Sequence, residues 1–188
     1  MPLRRLLLLV LGLLAFGGCT GPTPQPVPDA PPGLVVVLVR HAETAPDGTR
    51  DPGLSAAGRE RAERLAEDLA GSRVRAVYAT EYRRTRETAA PAAGVRGDEV
   101  VVVPYGAGPL DDYVARLAAD VRGPAGSPGA AGDVVLVVGH SNTTPALAEA
   151  LLGRPVPPTG EDVYDRQIRI LLRPDGSAVL LSDARTDA

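Results

Sequence analysis

The apolar positions along the chain fall into two alternating patterns. Residues 34–39 form an unbroken, mostly β-branched run, the pattern of a strand buried on both faces of a parallel sheet. From Leu54-Ser55 the period changes: Ala62, Leu65, Ala66 and Leu69 share one helical face, arginine and glutamate take the other, and Gly71 supplies the stop. The alternation then repeats. A strand over 75–79 leads to a helix capped by Thr80 that runs toward Ala90, where Pro91 ends or bends it. A strand over 100–103 precedes a helix over 110–121. A strand over 133–138 breaks at Gly139 before a helix that Ser141 or Asn142 caps, with Pro145 in its first turn and its end near Leu152. Residues 123–132 read as a flexible loop. Residues 166–172 and 178–181 flank Arg173-Pro174-Asp175-Gly176-Ser177, a turn signal that predicts a terminal hairpin.

Such alternation predicts an α/β fold: a three-layer sandwich with a mostly parallel central sheet, helices on both faces and a C-terminal hairpin. Ligands in such sheets bind beyond the carboxyl ends of the strands. Three polar clusters fall there: Arg40-His41 after the first strand, Thr80 to Arg84 after the second, and His140-Ser141-Asn142 after the fourth. They are expected to converge.

Composition removes most other chemistries. The 188 residues are 44% hydrophobic and 23% charged, enough for one sizeable core and one domain. All 20 basic residues are arginine, so functions that need a lysine, from a Walker loop to a Schiff base, are excluded. A single cysteine, Cys19, and two histidines, His41 and His140, exclude a disulfide framework, a zinc finger and a multi-histidine zinc site. Metal chemistry would have to rest on carboxylates, and no cofactor is expected. A net charge of −3, with five tyrosines, one phenylalanine and no tryptophan, lacks the basic face or stacking platform of a nucleic-acid binder.

Residues 1–18 read as an export leader, with Arg4 and Arg5 ahead of an apolar run from Leu6 to Phe16. That run is about eleven residues, short of the roughly 20 a spanning helix needs. Phe16-Gly17-Gly18-Cys19 resembles a bacterial lipobox. The resemblance implies cleavage before Cys19, lipidation of its sulfur, and a membrane-anchored lipoprotein on the periplasmic or extracellular face. The other reading is an ordinary secretory signal with an incidental cysteine. Residues 19–33 contain six prolines and no apolar period, and are expected to form an extended tether to a domain over 34–188.

Both histidines follow predicted buried strands, and Arg40 and an arginine-rich helix start lie beside them. Guanidinium forks match phosphate oxygens bidentately, and a neutral imidazole can attack a phosphoryl group whose oxygens are held by cations. These segments are similar to those of the histidine phosphatase superfamily, which includes the phosphoglycerate mutases. Val39-Arg40-His41-Ala42-Glu43-Thr44 resembles its signature, with Ala42 in place of the commoner glycine. Asp51-Pro52-Gly53-Leu54-Ser55-Ala56-Ala57-Gly58 resembles its lead into the first helix. Residues 78–89 resemble the segment of its second phosphate-binding arginine, and residues 137–142 that of its second histidine.

The resemblance implies that His41 is the nucleophile, that Arg40 and Arg84 clamp the phosphoryl oxygens, and that His140 contacts phosphate and stabilises the transition state. Arg83 and Arg86 point away from Arg84 on a helix and read as solvated surface. Thr44 supports the His41 loop or simply caps it. N–H groups near Ser141 and Asn142 would add anion affinity at a helix start. Asp47 stands near a position where mutase-like members usually have asparagine, and would repel phosphate unless turned away. For the proton donor Asp111 is the first choice, with Asp112, Glu81 and Glu43 behind it.

The short connection from Pro104 to Leu110 leaves no room for the cap insertion that mutases use, so water should reach a phosphohistidine and hydrolysis is favoured over transfer. The expected activity is that of a metal-independent phosphomonoester hydrolase acting on a small phosphorylated substrate through a phosphohistidine on His41. The alternatives are a phosphohistidine phosphatase and a non-catalytic phosphate-binding envelope lipoprotein.

Overall fold

The computed structural model describes residues 32–94, 99–106, 108–123 and 132–186. The expected leader, most of the tether and Cys19 lie outside them. Strands β1 (Leu34–Arg40), β2 (Arg73–Ala79), β3 (Val101–Val102), β4 (Asp133–Gly139), β5 (Arg166–Leu172) and β6 (Ala178–Arg185) form one sheet in the order β3-β2-β4-β1-β5-β6. The first four are parallel; β5 runs antiparallel to β1 and pairs with β6 in the expected hairpin. Helices α1 (Ala56–Leu69), α2 (Arg83–Gly94), α3 (Leu110–Arg122) and α4 (Thr143–Leu152) cover it.

Alternation along the strands decides which helix goes where. Val37, Val39, Leu136 and Val138 point to one face and bury Leu65 and Leu69 of α1 with Ala89, Ala92 and Ala93 of α2. Val36, Leu38, Val135 and Val137 point to the other, against Tyr113 and Leu117 of α3 and Leu147 and Leu151 of α4. The chain therefore leaves β1 toward one face and β4 toward the opposite face. β1 and β4 are neighbours, so the crevice lies between their carboxyl ends.

Several boundaries differ from the sequence reading. β2 begins at Arg73 rather than Arg75, because Asp133 across the ladder pairs with both arginines. β6 continues past Leu181 to Arg185, where Arg166 pairs with Asp183 and Arg185 with Asp165 across the hairpin. β3 is confined to Val101–Val102, an exposed edge.

Thr80 does not cap α2. The cap comes from 32 residues upstream, where the Asp51 carboxylate accepts the Arg83 N–H at 2.9 and 3.1 Å. Pro91 does not end that helix, which runs on to Gly94; burial of Ala89, Ala92 and Ala93 holds its last turn against the sheet.

Candidate active site

The parallel pairing sets Arg40 opposite Gly139, and the His41 N–H donates to the Gly139 carbonyl at 2.9 Å. Residues far apart in sequence thus place two buried imidazoles edge to face, their ring centroids 5.5 Å apart. α2 steadies the first loop, Thr88 Oγ1 accepting the Ala42 N–H at 2.9 Å. Thr143 Oγ1, at the start of α4, accepts the His140 N–H at 2.8 Å. Asn142 occupies the N-cap position without a side-chain cap bond; its Nδ2 donates to the Tyr105 hydroxyl at 3.2 Å.

Hydrogen-bond chemistry fixes the tautomers. His41 Nδ1 lies 2.8 Å from the Ala42 carbonyl oxygen, which only accepts, so Nδ1 carries the proton and Nε2 keeps its lone pair. On the other ring, Nε2 is 3.0 Å from Thr80 Oγ1, which lies 2.8 Å from Thr85 Oγ1. The Thr85 hydroxyl donates to the Thr80 and Tyr82 carbonyls, so the Thr80 hydroxyl donates to Thr85 and accepts from His140 Nε2–H. Burial, with smaller contributions from Arg40 and Arg84 and against the Ala42 bond, pushes His41 from 6.5 down to about 4. Burial, then His41 and Arg84, pushes His140 down to about 3. Both imidazoles are neutral near pH 7.

Arg40 is buried, its guanidinium 4.3 Å from the Tyr164 ring centre. Its Nη1 donates to the Gly160 carbonyl (3.1 Å) and that of Glu161, and its Nη2 to Glu161 Oε2 (3.0 Å). Arg84 stacks on Tyr82 at 4.4 Å and lies 3.8 Å from Asp51. Tyr82 and Tyr105 pack against His140, and Tyr164 against His41.

Arg40, His41, Arg84 and His140 therefore come together, as the sequence predicts. Asp47 turns into its own loop, its Oδ1 accepting from Thr49 N (3.0 Å) and Oγ1 (2.7 Å). Thr44 supports the His41 loop through backbone pairing with Leu54. Arg86 is exposed; Arg83 is half-exposed but braces α2, its Nε 2.6 Å from Glu87, whose other oxygen accepts the Leu54 N–H.

The carboxyl candidates separate. Glu43 is bound to Arg61 of α1 by both oxygens. Asp111 and Asp112 are exposed in the first turn of α3, and no described contact brings either to the histidines. Glu81 stands where its charge acts on His140, accepting from Tyr105 N (2.7 Å) and Gly106 N (3.1 Å). Burial works against its charge, but these bonds outweigh it and hold the carboxyl below its usual range. Sequence reasoning missed Glu161, Thr80's role and the three tyrosines. Among the described residues no group of three or more His, Cys, Asp or Glu could hold a metal ion.

Fold and site together set two neutral imidazoles and two arginines, a combination suited to a phosphoryl group, at the carboxyl ends of the parallel strands. The sequence model of the histidine phosphatase superfamily (branch 1) matches residues 36–105. Among solved structures, mycobacterial glucosyl-3-phosphoglycerate phosphatase with inorganic phosphate is similar at TM-score 0.64 and 20% identity, over 82% of this chain and 99% of that one. The protein histidine phosphatase SixA complexed with tungstate is similar at TM-score 0.61 and 19% identity, over 80% and 96%. At these identities the likeness carries the fold. No curated protein matches the sequence. Over residues 36–105, from β1 to just past β3, the chain is thus similar in sequence to the histidine phosphatase superfamily.

Proposed function

We propose that the protein is a metal-independent phosphohydrolase in which His41 Nε2 attacks phosphorus in line. The observation that carries this reading is the bond from His41 Nδ1 to the Ala42 carbonyl, which leaves a neutral nitrogen with a free lone pair on a ring that feels the charges of Arg40 and Arg84. Arg40 and Arg84 hold the phosphoryl oxygens and their developing charge, while the neutral His140, fixed by its Nε2–H bond to Thr80, packs edge to face against the nucleophile. The N–P bond forms as the ester P–O bond breaks, and the leaving oxygen takes a proton from solvent water. Water then attacks phosphorus and releases a proton to solvent, the N–P bond breaks, and the nitrogen regains its lone pair. The connection between β3 and α3, residues 103–109, carries no inserted cap, which leaves that water access.

A second reading, hydrolysis of phosphohistidine, is favoured by one observation: both carboxyls around the histidines, Glu81 and Glu161, are held below their usual range. An ionised carboxylate is a poor acid, and a leaving imidazole needs little acid help. The SixA likeness is consistent with it.

The full chain is expected to hydrolyse p-nitrophenyl phosphate at an unchanged rate in EDTA. Loss of activity on chelation, regained with a divalent ion, would overturn the histidine mechanism. A phosphohistidine peptide turned over far faster than any phosphate ester would favour the second reading.

We further propose export and lipid anchoring through Cys19, supported by the basic, apolar and small-residue order of residues 1–19. Cys19→Ser is expected to move the protein from the membrane to the soluble fraction. Continued membrane partition of the variant would sink the anchor.

A further inference from the structure

Each clamp arginine already has a carboxylate counter-ion. Arg40 pairs with Glu161 at 3.0 Å, and Arg84 lies 3.8 Å from Asp51. Glu81 adds a third negative charge beside His140, while both imidazoles are neutral. The two guanidiniums can bind one phosphoryl group by displacing these partners. Among the described residues Arg40 and Arg84 are the arginines that act on both histidines, and a phosphoryl group that takes them leaves neither for a second anion.

Glu161 is placed to make that balance a matter of selection. Its backbone is fixed, because Arg40 Nη1 bonds the Gly160 and Glu161 carbonyls, but its side chain is 83% exposed. The carboxylate bridges Arg40 to the start of α4, where Ser141 Oγ donates to Oε1 at 2.6 Å. Beside this bridge lies a groove of about 450 Å³ whose wall includes Ser141, Asn142, Pro145, Glu149, Val156 and Glu161, with no arginine or histidine. A phosphate that takes Arg40 pushes the Glu161 carboxylate aside, yet the fixed backbone keeps its charge at the mouth of the groove.

We propose that Glu161 is a specificity-determining residue, admitting phosphate compounds whose leaving group is neutral or cationic and turning away those that carry a second anionic group. The inference rests on the phosphatase reading above and names the substrate class of that site. The carboxylate's role is electrostatic. The Ser141 hydroxyl and Arg40 both favour its ionised form, which suits a fixed charge rather than a proton donor.

The test uses the full chain and three aryl phosphates: 4-(aminomethyl)phenyl, 4-methylphenyl and 4-(carboxymethyl)phenyl phosphate. The methylene insulates the ring, so the leaving phenols differ little in acidity and mainly in distal charge. For the wild type, kcat/KM is expected to fall about tenfold from the aminomethyl to the carboxymethyl ester. Glu161→Gln is expected to bring the two within about twofold, chiefly by lowering KM for the carboxymethyl ester. An unchanged ratio in the variant overturns the proposal. So does a loss of about a hundredfold in kcat on the neutral ester at constant KM, which would make Glu161 the proton donor. Absence of turnover of all three esters by the wild type overturns the phosphatase reading and the inference with it, a result distinct from an unchanged ratio.

Discussion

Replacing His41 with alanine is expected to lower kcat for p-nitrophenyl phosphate by at least about a thousandfold, since the variant keeps the arginine clamp but has no atom to form the covalent bond. The wild type quenched during turnover should carry phosphate labile to acid and stable to base, as a phosphoramidate is, and the variant none. Residual activity within about tenfold of the wild type would remove His41 from the nucleophile's role. Two pH effects follow from the same imidazoles. Attack needs the neutral ring, and burial holds His41 near 4 rather than 6.5, so protonation of this residue limits the free enzyme only as the pH falls toward 4. Stability takes the same sign. Between pH 6.5 and about 4 the unfolded chain binds protons that the folded His41 and His140 refuse. The contribution of the neutral rings is fully present above pH 6.5 and is lost as the pH falls through that window. His41→Asn should flatten the corresponding fall in melting temperature, and an equal slope in both proteins would contradict the depressed value.

The elements legible in the sequence are those whose own residues form the pattern. The apolar runs of β1 and β4 and the stripe of Ala62, Leu65, Ala66 and Leu69 needed only local periodicity, and Arg40, His41 and His140 followed because they sit at strand ends. What stayed hidden depends on partners far along the chain. Thr80 resembles a cap, but the Asp51 carboxylate takes the Arg83 N–H, which frees the Thr80 hydroxyl to orient His140. Arg73 looks unlike a strand residue until Asp133 is placed opposite it. Glu161 and Tyr164 lie between α4 and β5, in a stretch with neither periodicity nor a motif, and they reach the site only because β5 returns beside β1. One signal was available. The chain has five tyrosines and no tryptophan, and three of the five, Tyr82, Tyr105 and Tyr164, stand against the two histidines. In a chain so poor in aromatic residues, tyrosines next to the arginine cluster and the short connection were worth weighing as positioning groups.

Gly58→Ala is expected to cost about 3 kcal/mol or more of stability and to take the activity with it, although the residue touches no part of the phosphate clamp. Gly58 lies in the first turn of α1, capped by Ser55, whose Oγ accepts the Gly58 N–H at 3.1 Å. The helix start is pressed against the His41 loop. A methyl at this position would overlap the Glu43 carbonyl oxygen, a backbone atom that cannot rotate away and that already accepts the Ser55 N–H at 2.9 Å. Relief requires α1 to slide or the loop to move. Either motion breaks the pairing that holds Glu43 to Ser55 and Ala45 to Gly53, two to four residues after the nucleophile. The glycine is thus a point of contact between the α1 start and the catalytic loop, and its cost appears in both fold and function. The melting temperature should fall by about 10 °C, and kcat/KM of the fraction still folded should fall as well. Gly71→Ala is the control, because nothing stands within 4 Å of a methyl there and the backbone is not left-handed; its stability should change by no more than about 0.5 kcal/mol. If Gly58→Ala melts with the wild type, the close packing of α1 on the His41 loop is wrong. If it melts early but the folded fraction keeps full activity, the loop does not depend on that packing for its catalytic geometry.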